Sequence, residues 1–125
     1  METSGGVVLA AIAVASAIAF AYGATYMIRR RARRATLDLS AIGGRVVFFS
    51  DTACRKCPAA RDALVSAGAE FEEIRYGDDP ARFRATGVPA VPLVVVRDEA
   101  GVEVGRIAGE VRARELRALL RRAGL

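Results

Sequence analysis

Residues Gly5 to Ile28 contain no charged side chain, a run of 24 residues built mostly from Ala, Val, Ile and Leu. Few environments accept such a segment. As a helix it would be about 36 Å long, enough to cross a hydrocarbon core of about 30 Å with some tilt. A buried globular helix is a poor match to an uncharged stretch of this length. The run is therefore expected to be a membrane span, with Tyr22 and Tyr26 near its C-terminal end, where an aromatic belt would sit. Residues 29–125 must supply everything else.

The flanks of the span are unequal. Met1-Glu2-Thr3-Ser4 precede it as a short tail, and Arg29, Arg30, Arg31, Arg33 and Arg34 follow at once. The positive-inside rule places the N-terminus outside and residues 29–125 in the cytoplasm of a single-pass membrane protein. The alternatives are a domain on the extracytoplasmic side, or a cleaved signal peptide with Ala19-Phe20-Ala21 as the cleavage site. A signal peptide should begin with a basic region, which this chain lacks, and basic residues directly after the site would be unusual. Ala11, Ala15, Ala19 and Gly23 form a small-residue row able to pack on another span. Such a row arises easily by chance in an Ala-rich helix.

The arginine cluster also accounts for the net charge of +5. Without those five arginines and Glu2, residues 35–125 carry 14 basic and 13 acidic side chains, a net of +1. The remainder is nearly neutral and has no basic stripe interleaved with aromatics, so nucleic acid is not an expected partner. Abundant Ala and Arg beside a single Lys suggest a GC-rich bacterial genome. At 125 residues the chain has room for one small domain plus the span.

The domain holds the chain's only two cysteines, in Ser50-Asp51-Thr52-Ala53-Cys54-Arg55-Lys56-Cys57-Pro58. A short β-branched and aromatic run, Arg45 to Phe49, precedes this stretch, and a helix-like one, Ala59 to Ala67, follows it. A strand delivering a Cys-x-x-Cys to a helix start has chemical content. Unpaired N–H groups and the positive end of the helix dipole favour a thiolate over a thiol, and Arg55 and Lys56 push the same way. Pro58 suits a first helical turn, where its missing N–H costs nothing. Cys54 is expected to be the attacking thiolate and Cys57, one turn on and more buried, the resolving thiol. Two other readings stand beside this one: small apolar residues at a helix start, and half a metal site. Zinc would need further Cys or His ligands, and the chain has no His and no third Cys. A zinc site shared across a dimer, or a two-thiolate copper(I) site, stays open.

The rest of the domain alternates. Ala35 to Gly44 reads as a linker ending in Gly43-Gly44. After the strand at 45–50 and its helix, Gly68 stops the chain and Glu70 to Tyr76 reads as a second strand, with Phe71 and Ile74 as its core candidates. Asp79-Pro80 starts a short helix to about Thr86. Pro92 to Val96 is an apolar run typical of a strand buried on both faces. Asp98 to Gly101 turns the chain into a hairpin partner, Val102 to Ala108. Arg112 to Ala123 is amphipathic, with Leu116, Leu119 and Leu120 at i, i+3 and i+4. The order β-α-β-α-β-β-α predicts a mixed four-stranded sheet with helices on both faces. Strand-helix-strand units suggest parallel crossovers, and the hairpin adds an antiparallel strand.

Cys54-x-x-Cys57 after the first strand, Val91-Pro92 before the third, a hairpin, Gly109 and a terminal helix together resemble the thioredoxin/glutaredoxin superfamily over residues 45–123. That resemblance implies a thioredoxin-like domain at 45–125, after the tail (1–4), the span (5–28) and a basic juxtamembrane segment and linker (29–44). It also implies that Pro92 is cis and packs beside the cysteines, with the Val91 backbone free to pair with a substrate segment. Phe71-Glu72-Glu73-Ile74 with Asp79-Pro80 is similar to glutaredoxins in particular. The chain departs from thioredoxins at Ala53, where they carry Trp, at Arg55-Lys56, where they carry Gly-Pro, and at Phe48, where they bury an acid. It departs from glutaredoxins at Gly109-Glu110-Val111, in place of Gly-Gly-x-Asp.

The function implied is a membrane-tethered thiol–disulfide oxidoreductase. Its catalytic residues would be Cys54 and Cys57, and its substrate-binding residues Val91, Pro92, Arg55 and Lys56. No cofactor is expected beyond the Cys54–Cys57 disulfide. Asp51 and water are the candidates for proton transfer. Expected partners are protein or low-molecular-weight thiols and disulfides, a membrane protein among them, and the lipid bilayer through residues 5–28. The alternatives are a soft-metal (copper) carrier using both thiolates and a non-catalytic interaction module.

Overall fold

A computed structural model describes residues 2–125. Its first element is a helix of 33 residues, α1 (Glu2–Arg34). The helix takes in the uncharged run, the tail from Glu2 onward and the whole arginine cluster; Met1 lies outside the described residues. Its apolar side chains face open space: Val7, Leu9, Phe20 and Tyr22 are all largely exposed. By length and composition α1 can cross a membrane, and a signal sequence near the N-terminus would meet the same description.

The domain follows in the expected order: β1 (Val46–Ser50), α2 (Cys57–Ser66), β2 (Glu72–Arg75), α3 (Pro80–Ala85), β3 (Leu93–Arg97), β4 (Glu103–Ala108) and α4 (Ala113–Arg122). Local chemistry explains the boundaries. Pro58 lies in the first turn of α2, and Gly68 ends that segment with a φ of +71°, a conformation open to glycine at little cost. The Asp79 carboxylate caps α3 by accepting the Arg82 N–H at 3.1 Å, and Pro80 follows in the first turn.

The four strands form one mixed sheet in the order β2-β1-β3-β4. β1 runs parallel to β2, with Phe49 opposite Ile74. It runs antiparallel to β3, with Phe49 opposite Leu93, and β3 pairs antiparallel with β4. One expectation is corrected here. The β1-α2-β2 unit is a parallel crossover, but β2-α3-β3 is not. α3 has six residues, roughly 9 Å of helix, and crosses the end of the sheet without returning along it. β3 therefore starts at the end of the sheet where β1 and β2 finish, the end that carries the cysteines.

Strand parity divides the core into two layers. Val46 and Phe48 of β1, with Val94 and Val96 of β3, pack beneath α2 and α4 through Ala60, Leu64, Leu116 and Leu120. Val47, Phe49, Leu93 and Val95 face the other way, onto Phe83 of α3. Edge-to-face aromatic pairs join β1 to its neighbours, Phe48 to Phe71 at 6.1 Å and Phe49 to Phe83 at 6.0 Å.

The second layer is completed by residues outside the alternating elements. Ala32 of α1, and Leu39 and Ile42 of the stretch read as a linker, are all buried there. The stretch is fixed by Arg97, a buried side chain that donates to the carbonyls of Leu39 (3.3 Å), Ile42 (2.6 Å) and Gly44. Arg106 donates to the carbonyls of Ala32 (3.0 Å) and Ala35 (2.8 Å), which fixes the end of α1 against β4. Within the stretch, the hydroxyl and N–H of Ser40 hold the Asp38 carboxyl below its ordinary value.

Candidate active site

β1 ends at Ser50, and the chain turns at once, the Cys54 N–H donating to the Asp51 carbonyl at 3.2 Å. Two residues further on α2 begins, with Lys56 at its N-cap and Cys57 as its first residue. The turn brings the cysteines to a Cα–Cα distance of 5.5 Å, and their sulfurs are joined as a disulfide. Their surroundings differ. Cys57 is 1% exposed and packs in the layer beneath α2, whereas Cys54 is half-exposed. No acidic residue stands in the first turn of α2, so nothing there offsets the positive end of the helix beside the pair.

Arg55 and Lys56 are exposed, and among the described residues neither has an ion-pair partner. Asp51 sits at the rim, its Oδ1 already accepting the N–H (2.7 Å) and hydroxyl (3.4 Å) of Thr52. Opposite the cysteines lies Val91-Pro92, whose peptide bond is cis. The Pro92 carbonyl accepts the Gly109 N–H at 3.1 Å, and half-buried Val91 packs against both core layers. Cys54, Arg55, Lys56, Val91 and Pro92 thus line one hollow of about 270 Å³, with Asp51 at its edge. Every residue that the sequence reading assigned to the site lies in or directly beside it.

A larger hollow, about 660 Å³, lies at the opposite end of β1, around Arg45, Val46, Phe71 and Leu120, away from the cysteines. No group of three or more His, Cys, Asp or Glu side chains suited to a metal ion occurs among the described residues.

Sequence reasoning missed one wall of the site. A second hollow of about 200 Å³ shares Lys56, Val91 and Pro92 with the first and is lined also by Thr25, Ile28 and Arg29 of α1. The available signal was Ala32, the one apolar break in the arginine run, which is 1% exposed against the sheet.

The glutaredoxin family model matches residues 46–100. A solved structure described as a malarial protein is similar at 14% identity and a TM-score of 0.56, over 64% of this chain and 96% of that one. Thioredoxin from Aeropyrum pernix is similar at 14% identity and a TM-score of 0.50, over 64% of this chain and 74% of the thioredoxin. A structural-genomics target protein from X. campestris is 30% identical with a TM-score of 0.46, over 62% of this chain and 97% of that one. No curated protein matches the chain.

Proposed function

Because the chain belongs to the thioredoxin-like superfamily, we propose that it is a membrane-tethered thiol–disulfide oxidoreductase with Cys54–Cys57 as its redox couple. The observation that carries this reading is the asymmetry of the pair. A half-exposed Cys54 and a buried Cys57 are joined at the start of α2, beside the hollow under Val91-Pro92.

In the reductive direction the Cys54 thiolate attacks one sulfur of a substrate disulfide. A Cys54–substrate disulfide forms, and the other substrate sulfur leaves as a thiolate that takes a proton from water. Cys57, deprotonated in turn, attacks Cys54 Sγ and expels the second substrate thiolate. Two electrons have then passed to the substrate, and the Cys54–Cys57 disulfide remains. Arg55, Lys56 and the start of α2 favour the thiolate of Cys54, which stabilises the reduced form and makes the couple more oxidising than thioredoxin. Asp51 and water are the proton carriers within reach. The Val91 backbone would pair with the substrate segment.

In the same reading α1 is the anchor. The arginine cluster at its end supports a topology with the N-terminus outside and the redox domain in the cytoplasm, where substrates would be thiols and disulfides near the membrane, other membrane proteins included.

The test is the reduction potential of the full chain in detergent micelles. A value near about −270 mV would place the couple with reductants of the thioredoxin type, and one near about −120 mV with strong oxidants. Cys54→Ser is expected to abolish disulfide turnover, and Cys57→Ser to accumulate the mixed disulfide, visible as a mass adduct. If no Cys54–Cys57 disulfide forms at any poise, the chain is not an oxidoreductase.

A further inference from the structure

The end of α1 is not a free tether. Ala32 is buried against the sheet, Arg106 donates to two carbonyls of this segment, and Arg106 is itself held by Glu103 at 2.6 Å. This docking turns one member of the arginine cluster inward. Arg30, Arg31, Arg33 and Arg34 are exposed, while Arg29 is half-buried with its guanidinium laid against Gly109. The approach is close enough that a Cβ at Gly109 would stand 2.8 Å from Arg29 Nε, at a residue whose φ of +81° already favours glycine. Gly109 is in turn bonded to the Pro92 carbonyl.

Arg29 and Lys56 consequently both line the smaller hollow, together with Val91 and Pro92. Neither has an acidic partner among the described residues. Two unpaired cations around one concavity favour an anion between them, and a guanidinium is suited to a carboxylate. The two hollows share Lys56, Val91 and Pro92. A peptide whose cysteine meets Cys54 therefore lies beside the shared Val91-Pro92 wall, from which a neighbouring side chain reaches toward Arg29.

We propose that the end of the anchor helix is part of the substrate site: Arg29, with Lys56, forms a subsite for an acidic side chain flanking the reactive cysteine of a protein substrate. The assignment rests on the oxidoreductase reading for its substrate class. It makes Arg29 a specificity-determining residue supplied by the anchor. Such a substrate carries Asp or Glu close to its reactive cysteine and presents that segment at the membrane face, where α1 leaves the domain.

The test uses the full chain in neutral-detergent micelles. Two peptides are compared in which Ser replaces the reactive cysteine, one with Glu two residues away and one with Gln there. The Glu peptide is expected to bind roughly fivefold tighter, as one partly desolvated charge pair allows. That preference should vanish in Arg29→Gln, survive in Arg30→Gln and return in part in Arg29→Lys. An equal preference in Arg29→Gln, or none in the unaltered protein, overturns the subsite. If adding vesicles of anionic phosphatidylglycerol abolishes the preference, Arg29 belongs to the lipid surface and the proposal also fails. A kinetic arm with disulfide versions of the peptides and a neutral small disulfide separates the two readings. Loss of turnover on every disulfide condemns the oxidoreductase reading, while the Ser peptides still decide the subsite. A thermal unfolding curve of Arg29→Gln that matches that of the unaltered chain excludes a general structural effect.

Discussion

Burying Cys57 while leaving Cys54 half-exposed means that only one sulfur of the pair can meet a substrate directly. The burial comes from β1 and α2, and one polar atom of β1 has no evident role in it. Ser50 is fully buried, and its hydroxyl has no hydrogen-bond partner among the described residues. By strand parity it lies on the face of Val46 and Phe48, the face that α2 covers. A buried hydroxyl without a partner costs about 1–3 kcal/mol of desolvation, so Ser50→Ala should stabilise the protein by roughly 1 kcal/mol. The check is the midpoint of urea unfolding of the full chain in micelles. A loss of stability instead would show that the hydroxyl is bridged through a buried water. Thioredoxins bury an acid at the position of Phe48, and here the ring packs edge-on to Phe71 beneath the Arg61 guanidinium, 5.8 Å from its centroid. An apolar, stacked residue there cannot take a proton from Cys57.

Elements outside the alternating pattern close one face of the sheet. Residues 35–44 carry little regular structure, yet Leu39 and Ile42 are buried and three of the stretch's carbonyls accept from Arg97. Gly87 adds a close approach: its φ is +77°, and a Cβ there would stand 3.2 Å from the Thr36 carbonyl oxygen. Arg97→Met keeps the apolar stem but removes the guanidinium donors. It is expected to cost about 2–4 kcal/mol, the order for losing charge-assisted hydrogen bonds in a buried site. Limited proteolysis of the variant should cut first within residues 36–44. Unchanged resistance there would mean that Leu39 and Ile42 hold the stretch without Arg97.

At the scale of the whole molecule, charge and apolarity are segregated. The cationic excess sits at one end of α1, the exposed apolar side chains along the rest of it, and the nearly neutral domain is docked at that same end. A helix of 33 residues is about 50 Å long, so a stretch long enough to cross a membrane and the docked last turns fit one continuous rod. The chain is expected to stay with membranes through alkaline carbonate washing. In the proposed topology, a membrane-impermeant maleimide added to intact cells under reducing conditions should leave Cys54 unlabelled until the cells are opened. Labelling in intact cells would reverse the topology.

What the sequence determined by itself was local or periodic. An uncharged run announces a helix long and apolar enough to cross a membrane, because no charged side chain interrupts it. Val46 to Phe49 and Leu93 to Val96 announce buried strands by their β-branched and aromatic content, and Leu116, Leu119 and Leu120 announce a covered helix face by their spacing. The Cys54-x-x-Cys57 spacing and Val91-Pro92 made most of the site legible, because both motifs act within a few residues of themselves. The tertiary structure alone decided the direction of β3, since that depends on where a six-residue helix leaves the chain. It alone also decided the fate of residues 35–44 and of Ala32. Leu37, Leu39 and Ile42 keep neither a strand nor a helix period through residues 35–44, and an alanine among arginines reads as part of a solvated face until a sheet packs against it. Arg29 was hidden for the same reason: one arginine of five is distinguished only by the surface that α1 docks onto, and docking is a property of shape between segments distant in sequence.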